Sequence, residues 1–533
     1  MTGKCKYKNI DNKAVRWTKE FSWKKIIDGK NLVEFLEYEN TSLWWSIDIY
    51  NLTTNIIRAV ESDRIDEIID KKKYSKKIKP LKQCKRKLRR EISKYMNICQ
   101  KEKVTNREKI ILLSNNSFWR SIITENGMKK HDIAFHYLID KIQEYDIIGL
   151  DFDTTRSIPI GNLIEKIRDK KIFWKLEEGY VDKDIEQKTN IWENILKERW
   201  NRLSENMHAR NSFTYNQINI WDFIKGRLEY IFLIKLPEAV RNIEIMKRIL
   251  EEENPKAVIL SYETGSIGRA ACYASKIKKI KSIALQHGEL GMSDYYHTKN
   301  EISGKLSCPI PDKTCVYGSL YKKILLNCLY PKNKISVVGK LQLDAFKNLH
   351  SDRKLLCKKM NLDQMKKIIV FASQPLNKNL NNKIVFGVIN AVNKIKYAEL
   401  VIKIHPGENQ NFYDNIIKNN SKNISLAKDI DILGILCLSD ILITKHSTVA
   451  IEAAALGKPV IIFNPSGEPD PISYVKDGIA LGAYNELELK KKLTDLLYNK
   501  KISNSFEKQR NEAIKKYIYK NDGKTAERIA KLI

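Results

Sequence analysis

From residue 107 onward, short runs of apolar residues alternate with segments of helical period. The first series is Lys109–Ser114, Asp146–Asp151, Ala257–Ser261, Lys281–Gln286, Thr314–Tyr317 and Ile335–Val338. The second is Lys367–Ala372, Leu400–Ile404, Ile424–Ala427, Ile441–Ile443 and Val460–Phe463. These runs are rich in Ile, Val and Leu in succession, the pattern of parallel strands covered on both faces. Helical periodicity predicts a helix over 131–144, a mostly helical stretch over 165–256 with a long helix near 226–252, and final helices at about 485–499 and 503–533. Strands alternating with helices predict an α/β protein of two doubly wound domains facing a cleft. The expected division is 106–339 and 340–533, preceded by a basic, mostly helical extension over 1–105. Within that extension, Trp44-Trp45 reads as core packing, with a sugar-stacking platform as the alternative.

In open α/β sheets, ligands bind outside the carboxyl ends of the strands, so the chemistry is sought there. The run Ile441–Ile443 ends in the turn Thr444-Lys445-His446-Ser447-Thr448, followed by a small-residue helix, Gly457 and Pro459. Two hydroxyls and unpaired backbone N–H groups at a helix start, beside Lys445 and His446, suit an anion such as phosphate. Glu452 lies four residues after Thr448 on the same helix face, where it can meet a sugar hydroxyl. The plainer account of this segment is a βαβ crossover with a capping Ser or Thr. The run ending at Ile404 leads into His405-Pro406-Gly407-Glu408. Pro406 forces His405 toward an extended conformation and Gly407 lets the chain turn away. In the first domain Glu263 and His287 each follow a buried strand and are expected to face the cleft, each a candidate base for an acceptor hydroxyl. Arg269, one turn beyond Gly265, is either a carboxylate clamp or a surface ion-pair residue.

These segments together resemble the donor-binding half of two-domain GT-B glycosyltransferases of surface and capsular polysaccharide synthesis. The His-Pro and Ser-Thr motifs are similar to those of polysialyltransferases and teichoic-acid glycerophosphotransferases. The resemblance implies a GT-B-like pair of Rossmann-type domains with a terminal helix crossing back to the first. It implies metal-independent transfer from a nucleotide-activated sugar to a glycan or lipid-linked acceptor, with no cofactor beyond that substrate. His405, shaped by Pro406, would then meet the leaving phosphate. Lys445, His446, Ser447 and Thr448 would hold it, and Glu452 would bind ribose. Glu263-Thr264-Gly265 is similar to an acidic-acidic-Gly base motif, with Thr264 in place of the second acid. His287 remains the alternative base, and Gly265, Arg269 and Gly288 fall on the acceptor side. The stretch Ser447–Ala453 with Gly457-Lys458-Pro459 also resembles the non-hydrolysing nucleotide-sugar 2-epimerases, so an epimerase is the main alternative, alongside a CDP-glycerol-type glycerophosphotransferase.

Composition refines this picture. The net charge of +31 comes largely from lysine in a chain also rich in Ile and Asn. One cluster stands out, Lys71 to Arg90, which reads as a solvated basic segment or as attraction to an anionic membrane leaflet. A basic scaffold binding membrane or nucleic acid is the non-enzyme alternative. Zinc-finger spacing, RNP-like aromatics and a Walker loop are all missing, so nucleic acid is not expected. Nine scattered cysteines without a Cys-x-x-Cys pair read as reduced thiols. With no secretory h-region and no apolar run near the ~20 residues of a span, a cytoplasmic protein is expected, peripheral at the inner membrane face if 71–90 binds it.

Overall fold

The computed structural model describes residues 4–47, 49–61, 89–98, 107–114, 118–124, 127–152, 160–290, 308–344, 353–405, 407–419, 423–427 and 431–533. Seven strands form the first sheet: β1 (Lys109–Ser114), β2 (Asp146–Asp151), β3 (Phe173–Leu176), β4 (Ala257–Leu260), β5 (Lys281–Leu285), β6 (Lys313–Val316) and β7 (Ile335–Val337). Their order is β7-β6-β5-β4-β1-β2-β3, and every pairing is parallel. Six strands form the second: β8 (Lys367–Ala372), β9 (Ala398–Lys403), β10 (Ile424–Ala427), β11 (Ile441–Thr444), β12 (Val460–Phe463) and β13 (Leu481–Ala483). Their order is β10-β9-β8-β11-β12-β13, again all parallel. Each sheet reverses direction at its first strand, which places a crevice at the carboxyl ends beside β1 and β8.

Burial explains why apolar residues follow one another in these runs: Ile110, Ile111 and Leu112 are all 0% exposed. Close packing also dictates glycine at one strand position. A Cβ on Gly149 would lie 2.5 Å from the Trp174 ring of the next strand, so the indole lies flat over the backbone there.

The N-terminal segment packs into the first domain. Helices Lys4–Ser22 and Ile49–Glu61 lie against each other, and their buried residues join the core that includes Leu228 and Ile243. Trp44 and Trp45 are each 2% exposed, and Trp44 Nε1 donates to Ser22 Oγ at 2.8 Å. They are core residues, and the sugar-stacking alternative is excluded. The basic run over 71–88 lies outside the described residues.

One local expectation fails for an identifiable reason, and two hold with additions. Residues 131–144 are not one helix. The strand Gly127–Asp132 closes a hairpin with Trp119–Thr124, and only His136–Ile139 turns helically. Asp132 accepts the Ala134 N–H at 2.8 Å and bonds to Ser114 Oγ, a turn that competes with helix initiation. The 165–256 stretch contains β3 as well as helices. Its long helix contains a π-turn, Ile231–Lys235, just before Pro237, which has no N–H to return to the preceding turn. No helix among the described residues is long and apolar enough to cross a membrane.

The chain ends by returning to the first domain. Helix Lys500–Tyr517 delivers the Tyr519 N–H to the Tyr317 carbonyl at 2.7 Å. In helix Thr525–Ala530 the Ala526 N–H donates to Asp344 at 2.8 Å, and Arg528 Nε donates to the Val338 carbonyl at 2.8 Å. Gly318 marks how tight this crossing is, because a Cβ there would sit 2.4 Å from the Tyr517 carbonyl oxygen. Gly318→Ala should therefore destabilise the protein by about 1–3 kcal/mol. A lower urea midpoint at unchanged slope is the expected signature, and a wild-type midpoint would show that the crossing has slack.

Candidate functional site

The second-domain wall is built from three strand ends. After β9, the backbone N–H of His405 donates to Ser373 Oγ at 3.0 Å, and its Nδ1 accepts the Gly407 N–H at 3.0 Å. The proton of a neutral ring therefore sits on Nε2, leaving a hydrogen-bond donor at the ring's outer edge. Burial holds the His405 pKa below its ordinary value; Glu408 opposes this, and Arg120 and Lys403 reinforce it. Glu408 is fixed by Ser373 Oγ at 2.5 Å and Tyr413 OH at 2.7 Å, so the loop is rigidly framed. Pro406 lies outside the described residues.

After β11, Gln374 Oε1 accepts the His446 N–H at 2.9 Å, and Thr444 Oγ1 donates to the Ala372 carbonyl at 3.1 Å. These bonds tie the ends of β8 and β11 together. Ser447 Oγ accepts the Val449 N–H at 3.3 Å, whereas Thr448 makes no side-chain cap to the seven-residue helix Val449–Ala455. Lys445 is 7% exposed, and the buried His446 Nδ1 has no hydrogen-bond partner. Burial first, then the charge of Lys445, pushes the His446 pKa down to about 4.

Glu452 faces the first domain. Its Oε1 lies 2.7 Å from Lys340 Nζ, and its buried Oε2 has no hydrogen-bond partner. The ammonium of Lys340 also sits 4.6 Å from the Tyr317 ring centroid. Burial alone would lower the Lys340 pKa, but Glu452 and then Tyr317 hold it above the ordinary value. Lys340 is aimed by Gly339, whose φ of +104° favours glycine.

The first-domain wall differs from expectation. His287 meets Tyr262 edge-on at 5.0 Å between ring centroids and Phe118 at 5.9 Å. Burial lowers its pKa, the Ser261 backbone opposes that, and Lys340 adds to it. Glu263, expected beside it, is 4% exposed, and its charge acts on Cys272, Cys315 and Tyr330 of the same domain. Its position is set by Gly268, where a Cβ would lie 2.7 Å from Glu263 Cα. Glu263 is thus buried at the end of its strand. Arg269 is not the surface ion-pair residue of the plainer reading. It is 1% exposed and donates to the Pro309 carbonyl at 3.0 Å, so it holds a loop. Gly265 caps helix Ser266–Lys278 where a Cβ would strike the Tyr262 ring at 2.6 Å. The Gly288 carbonyl accepts from Gln286 Nε2 at 2.8 Å. Both glycines shape the wall through the backbone.

Several groups were not expected from the sequence. Glu289 accepts from Tyr321 OH at 2.9 Å and, across the cleft, from Tyr474 OH at 3.3 Å, while burial raises its pKa. Asp431 caps helix Ile432–Leu438, and burial followed by the charge of Glu452 pushes its pKa up to about 6. Arg120, on the first-domain hairpin, is close enough for its charge to act on His405 and to feel Asp431. Both walls therefore bring titratable groups to one cleft.

Residues 238–533 match the family model described as UDP-N-acetylglucosamine 2-epimerase. The chain belongs to this family. The match spans β4 to β7 of the first sheet, the Lys340 junction and the entire second domain. A search of curated proteins finds no match. Among solved structures, the UDP-GlcNAc 2-epimerase of Neisseria meningitidis bound to UDP-GlcNAc is 15% identical with a TM-score of 0.50, over 80% of this chain and 99% of that one. The S. aureus MnaA–UDP co-structure is 14% identical with a TM-score of 0.48, over 79% and 94%. The wall teichoic acid polymerase TagF is 12% identical with a TM-score of 0.45, over 86% and 97%. The fold is of the GT-B type. The resemblance to transferases narrows to that shared fold, since the family matched is the epimerase.

The buried histidines of this epimerase-family chain give a pH signature. Burial holds both His136 and His446 near 4, against about 6.5 for an unperturbed imidazole. Between those values the unfolded chain takes up protons that the fold refuses. Stability is therefore full above pH 6.5 and falls as the pH drops toward 4. Replacing His446 by Gln should make the fall across that window shallower. An unchanged slope would show that His446 is protonated within the fold.

Proposed function

We propose that the protein is a nucleotide-sugar 2-epimerase that inverts C2 of a UDP-linked 2-acetamido sugar bound between the two domains. The observation that carries this reading is the family match over 238–533, which contains both strand-end motifs and the Lys340–Glu452 junction. Inverting C2 can proceed by breaking the C2–H bond together with the C1–O bond to the diphosphate, giving a C1=C2 unsaturated sugar and UDP. UDP then adds back to C1 as a proton is delivered to the opposite face of C2, so groups are needed on both sides of the sugar. His287 from the first domain is held toward its neutral form and suits proton removal. Asp431 in the second domain, with a pKa of about 6, holds or releases a proton near neutral pH. The donor edge of His405, with Lys445, His446, Ser447 and Thr448, suits the diphosphate, and the unpartnered Oε2 of Glu452 suits a ribose hydroxyl.

One observation favours a second reading, transfer of the sugar to a glycan or lipid-linked acceptor. Tyr262 is 53% exposed beside His287, an aromatic surface on which an acceptor sugar can stack. Incubation with UDP-GlcNAc alone in D2O separates the two. An epimerase forms the C2 epimer with deuterium at C2 and needs no acceptor. UDP release only when an acceptor glycan is added, with no deuterium uptake, would replace the epimerase by a transferase.

His405→Ala should lower turnover by about 10²-fold while changing substrate affinity little, because its donor is aimed at charge that grows in the transition state. Full turnover at saturation with collapsed affinity would make His405 a binding residue only.

A further inference from the structure

In the second sheet β8 lies between β9 and β11, so its carboxyl end stands between the His405 loop and the 444–448 turn. The two residues that follow β8 each hold one of them. The Ser373 N–H donates to the Lys403 carbonyl at 3.0 Å, and Ser373 Oγ accepts the His405 N–H at 3.0 Å. Gln374 acts on the other side, where its Oε1 accepts the His446 N–H at 2.9 Å. Only the oxygen can face a backbone N–H, so Nε2 lies on the other side of the amide. Pro375 follows and restricts Gln374 to an extended backbone.

Gln374 Nε2 has no hydrogen-bond partner among the described residues, and the side chain is half-buried. Two N–H bonds are therefore held at the strand end while the rest of the amide is anchored. Tying β8 to β11 needs the oxygen alone, and a carboxylate would accept the His446 N–H more strongly. Glutamine instead keeps the position neutral and adds a donor. The neighbouring groups give that donor a use. His446 is held near a pKa of 4 and His405 below its ordinary value, so neither ring brings a positive charge at neutral pH. Lys445 is the cation of the turn, and burial lowers its pKa as well. A diphosphate seated here must be met largely by neutral donors.

We infer that Gln374 is a ligand of the nucleotide diphosphate, donating Nε2–H to a phosphate oxygen alongside the His405 donor while its Oε1 keeps the 444–448 turn in place. The inference rests on the nucleotide-sugar reading above and adds one contact within it.

Calorimetric titration of the full chain with UDP at about pH 8 tests it. Gln374→Glu keeps the acceptor for His446 but sets an ionised carboxylate against the phosphates, and should lower UDP affinity about 100-fold or more. Gln374→Met has similar length and neither function, and should lower affinity about 10-fold. A residue that merely tied the strands would give the opposite order, with Gln374→Glu near wild type and Gln374→Met the weaker binder. That order, in variants with wild-type melting midpoints, would overturn the inference. If Gln374→Glu fails to fold, Gln374→Lys decides. It cannot accept from His446 but restores a donor, so UDP should bind within about threefold of wild type. Affinity as low as that of Gln374→Met would overturn the inference. Failure of the wild-type chain to bind UDP would overturn the nucleotide-sugar reading together with the inference, whereas a reversed order in a chain that binds UDP leaves that reading standing.

Discussion

The contact between Lys340 and Glu452 joins the segment that follows the last strand of one sheet to the helix that follows the central crossover of the other. Its side chains are 2% and 10% exposed, and its charges stand 2.7 Å apart. A buried pair of this kind adds little net stability relative to an apolar pair, but loss of one partner leaves the other charge buried and uncompensated. The relation of the two domains is therefore constrained at this point. Tyr317 concentrates the constraint further. Its ring lies beneath the Lys340 ammonium, and its carbonyl receives the Tyr519 N–H from the returning chain end. The junction and the crossover meet at one residue, which ties the order of the C-terminal helices to the geometry of the cleft.

Around that junction the cleft is furnished with polar groups whose charge is suppressed. His287, His405 and His446 are all held toward the neutral form, chiefly by burial. Glu289 and Asp431 are shifted the opposite way, by the same cause. Desolvation acts on acids and bases alike by penalising the charged form, so one environment lowers the histidines and raises the carboxyls, bringing the two kinds of group closer to one another. This is the condition under which protons move between groups at small energetic cost.

The sheets were legible because parallel strands buried on both faces write themselves as apolar runs, as KIILLS, KIIVFA and VIIF do. β3 escaped because Lys175 interrupts its run, and the reason for that lysine is remote in sequence. It is buried against Glu253 at 2.6 Å. β13, at three residues, is too short to carry a pattern. The site divided in the same way. His405, Ser447 and Glu452 belong to local strand–turn–helix signatures, whereas Lys340, Glu289, Arg120 and Asp431 matter only through partners far along the chain. Glu263 and Arg269 are both buried, which their local sequence does not disclose. Position at the carboxyl end of a strand is readable, but side-chain direction depends on neighbours such as Gly268 and the 308–309 loop.

On the epimerase reading, Glu452 has two duties that its two oxygens keep apart. Oε1 is committed to Lys340, and Oε2 is buried without a partner, at a cost that a ligand hydroxyl would remove. A nucleotide bound there would complete a carboxylate already engaged across the domain junction. Binding energy gained at the ribose would then be shared with the contact that sets the domain relation. The chemistry proposed at His287 and Asp431 needs just such a coupling. The two groups stand on different domains, and their separation is fixed only as well as the junction is.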